Sequence, residues 1–238
     1  LQSLRMETDV SHYIEIYYRS VSYMTMFTKY FGNKARENPD IIDAAFDRAL
    51  DSRYVVSRLY ASLMIAASSC SESHLERFIQ YLPSCADPLK ALLLRFTTIT
   101  MFPKDSELLH EFLMANFVEM IDFYETFVAI NPEFKNIATD WVISNLSIAL
   151  TIDPTNTDMA RRSMCIKSPE LFIAAIKIIA ISAQTSILKE LSDVLCDKFN
   201  QFPVTEELEK AFISICRSIR DPEMAFELAI KTQFNNIS

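Results

Sequence analysis

The sequence predicts an all-α protein: antiparallel helical hairpins stacked as a HEAT-like α-solenoid of about ten or eleven helices. Three observations predict it. Gly32 is the only glycine in 238 residues, six of the nine prolines directly follow Asn, Asp or Ser, and apolar residues recur at steps of three and four over long stretches. Phosphate-cradling loops, dinucleotide fingerprints and nucleophile elbows place glycines where a side chain would clash, so none of them can be written here. Tight hairpins of an all-β chain lean on glycine for positive φ, whereas helices do not need it.

The elements follow in chain order. Val10, Tyr13, Ile14, Tyr17, Val21, Met24, Phe27 and Phe31 fall on one face of a first long helix, and Gly32 is expected to end it in the left-handed conformation. Six pairs, Asn38-Pro39, Asp87-Pro88, Asn131-Pro132, Asp153-Pro154, Ser168-Pro169 and Asp221-Pro222, each set a capping side chain before a proline at the first helical position. There the missing N–H costs nothing. Pro83, Pro103 and Pro203 are expected to separate one helix from the next. The apolar runs Ala91 to Phe102 and Leu171 to Ile181 are read as buried helices rather than strands, because they follow Asp-Pro or Ser-Pro starts and exceed ten residues. Leu113, Phe117, Met120, Tyr124 and Phe127 form a further stripe, and the apolar residues between them require that helix to be covered on more than one side. No apolar run reaches the ~20 residues of a membrane span. Residues 1–238 are read as a single solenoid piece, and the start at Leu1 as the mark of an excised fragment.

Composition bounds function. Half the residues are hydrophobic, 23% are charged, and the net charge is −8 without any basic block, which disfavours a nucleic-acid surface and a polybasic membrane patch. Partners are expected to be proteins. Cys70, Cys85, Cys165, Cys196 and Cys216 are widely spaced, with no C-x-x-C pair, and read as reduced, mostly buried thiols. His12, His74 and His110 lie far apart, so neither a metal nor another cofactor is expected. Acid pairs such as Asp43 with Asp47, or Glu206 with Glu207, read as solvated charges. Cys70 and His74 stand at helical spacing, but nothing in the sequence supplies the oxyanion hole or positioning loop that nucleophilic catalysis requires.

Arg58 is the residue that asks for a reason, because it sits inside VVSRLYASLMIAA, Val55 to Ala67, a run otherwise apolar or small. Its guanidinium either pairs with an acid or carbonyl of a neighbouring helix, or stands with Tyr60 at a docking surface, where arginine and tyrosine often dominate binding.

At this point the chain resembles a family. SRLYASLM, Ser57 to Met64, is similar to the proline-arginine-leucine-tyrosine-leucine signature of the retromer large subunit, the vacuolar protein sorting-associated protein 35 family. DPLKALLLRF, Asp87 to Phe96, and FLMANFVEM, Phe112 to Met120, resemble two further motifs of that family in the same order, and the tyrosine-rich Ser11 to Phe31 resembles its upstream helix. The resemblance spans Leu4 to Val128, while residues 131–238 show only further helical hairpins. Ser57 stands where the signature has proline, Ala61 where it has its second leucine, and Ala91 where the second motif has glycine.

The resemblance implies a non-catalytic scaffold of an endosomal cargo-sorting coat, cytoplasmic and peripheral on endosomal membranes. It would dock an arrestin-like subunit and help recruit sorting nexins and cargo tails, touching membrane only through partners. Arg58, Leu59 and Tyr60 are the implied contacts, with Asp87, Pro88, Lys90 and Arg95 beside them. The phosphoesterase-like subunit is expected not to bind this piece. The alternatives are a retriever-type large subunit and an unrelated α-solenoid scaffold of nuclear transport or proteasome type.

Overall fold

The computed structural model describes residues 2–102, 106–182 and 185–232, and among them there is no strand. Fourteen α-helices run in order: α1 (Gln2–Met6), α2 (Val10–Glu37), α3 (Pro39–Leu50), α4 (Val55–Ser69), α5 (Glu72–Tyr81), α6 (Pro88–Met101), α7 (Glu107–Ile130), α8 (Lys135–Ile152), α9 (Thr157–Arg162), α10 (Pro169–Ser182), α11 (Thr185–Glu190), α12 (Ser192–Gln201), α13 (Glu206–Ser218) and α14 (Pro222–Lys231). Eleven have ten residues or more. The excess over the expected ten or eleven comes from α1, α9 and α11, short pieces of five or six residues that periodicity does not register.

Helix starts follow the capping chemistry. Asp87 and Asp221 accept from the backbone N–H of Lys90 and Met224 and place Pro88 and Pro222 at the first helical position. Ser168 accepts from the N–H of Leu171. Asn38 alone joins α2 to α3 and makes no side-chain capping bond, while Pro132 opens a short 3-10 turn (Pro132–Phe134) that leads into α8. Asp153-Pro154 is the exception. Asp153 Oδ1 accepts from Thr155 N at 2.9 Å and Thr155 Oγ1 at 2.6 Å, closing a turn, and α9 starts later behind Asn156, which accepts from Met159 N at 2.8 Å. An Asx side chain caps a helix or closes a turn with the same acceptor, and here the turn wins. Pro83 falls in a 3-10 turn (Leu82–Ser84) and Pro203 comes after α12. Pro103 lies outside the described residues.

Gly32 does not end its helix. It sits inside α2, which continues to Glu37, and its φ is not positive. The reason for glycine is steric: a Cβ added there would lie 3.2 Å from the backbone oxygen of Ser68, near the end of α4. Left-handed backbone occurs instead at Cys70, φ 49° and ψ 34°, which terminates α4 and turns the chain into α5.

The chain forms two compact units, Leu1–Phe112 and Leu113–Ser238. In the first, α4 is the central helix, packed against α2, α3 and α5, with further contacts to α1 and α6. Leu59, Tyr60, Leu63 and Ala66 fill this core with Tyr13 and Tyr17 of α2. The Tyr17 hydroxyl sits 2.8 Å from Thr97 Oγ1, and Thr97 donates to the Leu93 carbonyl. The apolar stripe of α2 does its burying at Tyr13, Ile14, Tyr17 and Met24. Further along, the helix leaves Tyr23, Met26 and Tyr30 about two-thirds or more exposed and Phe27 partly so.

In the second unit α10 packs against α8 and α13, and Phe172, Phe199 and Phe212 form an edge-to-face series with centroids 5.4 and 5.2 Å apart. Trp141 is buried in α8. A polar link crosses the same core: Asn116 Nδ2 donates to Asn145 Oδ1 at 2.7 Å, and Asn145 Nδ2 donates to the Leu113 carbonyl at 2.9 Å. Surface ion pairs between helices, such as Lys135–Glu170 and Lys189–Asp221, each contribute only about 0–1 kcal/mol.

Stability measurements on three variants test this packing. Asn145→Ala removes an acceptor from Asn116 and a donor from the Leu113 carbonyl in a buried setting, and is expected to cost about 2–3 kcal/mol in chemical denaturation. Gly32→Ala gains up to about 1 kcal/mol of helix propensity and crowds the Ser68 oxygen, so it is expected to stay within about 1 kcal/mol of wild type. Gly32→Leu is expected to destabilise by more than about 1 kcal/mol. A strongly stabilised Gly32→Leu would refute the close approach.

Candidate functional site

The beginning of α4, the turn after α5 and the beginning of α6 meet at one edge of the first unit. Tyr54 leads into α4 with extended backbone, so the helix opens with Val55, Val56, Ser57 and Arg58. Leu59 and Tyr60 then point into the core, at 0% and 1% exposure, and Arg58, one position earlier, is left at the edge. This corrects the expected contact set. Leu59, Tyr60 and Arg95 are buried, the last at 3% exposure, and in this conformation they hold the helices rather than present a surface. Of the seven expected residues, Arg58, Asp87, Pro88 and Lys90 reach solvent.

The guanidinium of Arg58 has no carboxylate partner among the described residues. Its Cζ lies over the Tyr81 ring at 5.7 Å, one terminal nitrogen is 3.5 Å from Ser84 Oγ, and its buried Nε has no hydrogen-bond acceptor. Ser84 donates its own proton to the Tyr81 carbonyl at 2.6 Å. The paired-arginine alternative therefore has no acid behind it here. Cys85 is buried beside Asp87: burial is the main reason its thiol is pushed up to about 11, and the nearby Asp87 carboxylate adds to the rise. Asp87 caps α6 through Lys90 N at 2.9 Å, and the Lys90 ammonium sits 5.3 Å from the centre of the Tyr13 ring. Arg58 thus faces Ser84, three positions before Asp87, which brings two of the stretches that carried the resemblance near each other.

Beneath that surface Tyr13, Tyr17 and Tyr60 form a phenol cluster. Burial holds all three well above the usual range, so they stay neutral. The Tyr60 hydroxyl lies close to Tyr13 and Thr97 without the alignment of a hydrogen bond.

A second polar group, not visible in the sequence, joins α3, α4 and α5. His74 is buried, its Nδ1 is 3.0 Å from Ser69 Oγ, its Nε2 is 3.0 Å from Asp43 Oδ1, and its ring lies on Phe46 with centroids 4.4 Å apart. The residue types match a hydrolytic triad. The arrangement does not, because the Ser69 hydroxyl also faces the Ala66 carbonyl at 3.0 Å inside its own helix turn, and Asp43 is two-thirds exposed. It is a clamp across three helices. Cys70, the other half of the pair suggested by spacing, directs its sulfur to the Ala67 carbonyl instead of His74.

Cys70 and Cys165 are exposed, which corrects the expectation of mostly buried thiols, whereas Cys85 and Cys196 are buried. Among the described residues no group of three or more His, Cys, Asp or Glu is placed to hold a metal ion, and no helix is long and apolar enough to cross a membrane.

No protein-family model matches the chain, and no curated protein matches it.

Two substitutions separate packing from surface chemistry. Tyr60→Phe removes a buried hydroxyl without an aligned partner and is expected to change stability by less than about 1 kcal/mol in either direction. His74→Ala, which opens a cavity against Phe46 and strands Ser69 and Asp43, is expected to cost about 2–4 kcal/mol. Equal, small effects in thermal or urea unfolding would overturn this division.

Proposed function

We propose that this chain is a non-catalytic scaffold, the N-terminal helical part of a retromer-type large subunit that docks an arrestin-like subunit. The observation that carries the reading is the state of Arg58. A guanidinium with no carboxylate partner among the described residues, resting on a half-exposed tyrosine, suits a partner that brings a carboxylate or carbonyl to it. The ordered sequence resemblances at Ser57 to Met64, Asp87 to Phe96 and Phe112 to Met120 support the same choice of partner.

In this reading the buried Leu59 and Tyr60 fix the roll of α4 and so aim Arg58, while Asp87 and Pro88 fix the start of α6 and so place Lys90. The work is presentation: packed helices hold the charged groups at set distances, and binding spends little energy on ordering them. Sorting nexins and cargo tails join through the assembled coat on the cytoplasmic face of endosomes, with membrane contact made by partners. A retriever-type large subunit is the nearest variant, with a different arrestin-like partner.

Titration calorimetry with an arrestin-like retromer subunit tests the proposal. Arg58→Ala is expected to lose about 2–5 kcal/mol of binding free energy, with helicity and melting temperature unchanged. Unchanged affinity would overturn the docking role, and loss of the melting transition would return Arg58 to a structural part.

A further inference from the structure

The far end of the first unit holds a cleft that the Arg58 surface does not use. Its volume is about 580 Å³, and it lies between the second half of α2 and the C-terminal ends of α4 and α6. The helix α2 bridges it: Met24 is buried on the near side, and Gly32 closes the far side against the Ser68 backbone oxygen. Glycine therefore lets α2 come down onto α4 beyond the opening and keeps the space beneath it defined.

The walls define the ligand. Val21, Phe96 and Met101 give an apolar side. Thr25, Thr28, Ser68 and Thr100 line the rest, and each donates its hydroxyl proton to a carbonyl of its own helix, so toward a ligand each can act only as an acceptor. Among the described residues Lys29 is the one charged group in the lining. The described lining thus suits N–H donors, an apolar group and a negative charge facing Lys29.

A peptide backbone with one acidic side chain beside an apolar one offers all three. The volume suits it too: at ~30 Å³ per water-sized unit it holds roughly 20 non-hydrogen atoms, about two or three residues of chain. We propose that this cleft is a docking site for a short acidic-apolar peptide segment, its carboxylate on Lys29, its apolar side chain against Phe96 and Met101, and its backbone N–H groups on the threonine and serine oxygens. The site stands apart from Arg58 and does not rest on the choice of a retromer-type partner.

The test uses the full chain and fluorescein-labelled pentapeptides in which one Glu is flanked by Leu, Phe, Val or Met in turn, each paired with a Gln control. At least one Glu peptide is expected to bind by fluorescence polarisation. Its affinity is expected to fall about tenfold or more in Lys29→Glu, in the cleft-filling Thr100→Trp, and when Glu is replaced by Gln. Arg19→Glu, on the same helix but outside the cleft, is expected to leave it unchanged. Because Cys70 lines the cleft and is exposed, saturating peptide is expected to slow its alkylation about threefold or more, read by mass spectrometry, while exposed Cys165 reacts as before. No binding by any Glu peptide, binding that survives both Lys29→Glu and Thr100→Trp, or unprotected Cys70 would each overturn the site. None of these results touches the Arg58 titration, so the two proposals fail separately.

Discussion

Burial of α4 is the constraint on which the first unit depends. Its sequence alternates bulky anchors with small residues, so Leu59, Tyr60 and Leu63 lock into the core while Ala66 and Ala67 let neighbouring helices come close. Burying a leucine or tyrosine side chain stabilises by about 1.5–3 kcal/mol, and several such residues on one helix leave it a single rotational setting. That setting decides the chemistry at both ends. At the N-terminal end it puts Arg58 at the edge against Tyr81, and at the C-terminal end it brings the Ser68 oxygen against Gly32.

How much of this was legible in the sequence depends on whether the signal was local. Helix class and the burial of the apolar runs come from periodicity, and the starts of α3, α6, α10 and α14 from Asx-Pro or Ser-Pro pairs, whose physics acts within one turn of helix. Asp153 shows the limit, because the same side chain serves a turn as well as a cap, and the residues next in the chain decide between them. Gly32 shows another: a lone glycine after a periodic run reads as a stop, yet its true neighbour is a backbone oxygen 36 positions away.

The candidate surface was half legible. Arg58 stood out because a cation in an apolar run needs an explanation, but Tyr81 and Ser84, which face it, carry no mark in the sequence. The expectation that Leu59 and Tyr60 join Arg58 in contact treated adjacent residues as one surface. On a helix, successive residues point about 100° apart, so neighbours of a surface arginine are often core. The clamp of Asp43, Ser69 and His74 was likewise invisible, since its members come from three helices.

The placement of aromatic residues has a practical side. Trp141, the only tryptophan, belongs to the second unit and is buried, while eight of the nine tyrosines belong to the first. Indole emission excited at the red edge of the absorption band therefore reports the environment of one unit alone. Tyrosine absorbance is dominated by the other. The chain carries a pair of intrinsic optical reporters, and the order in which its two units lose structure can be tracked without attaching a dye.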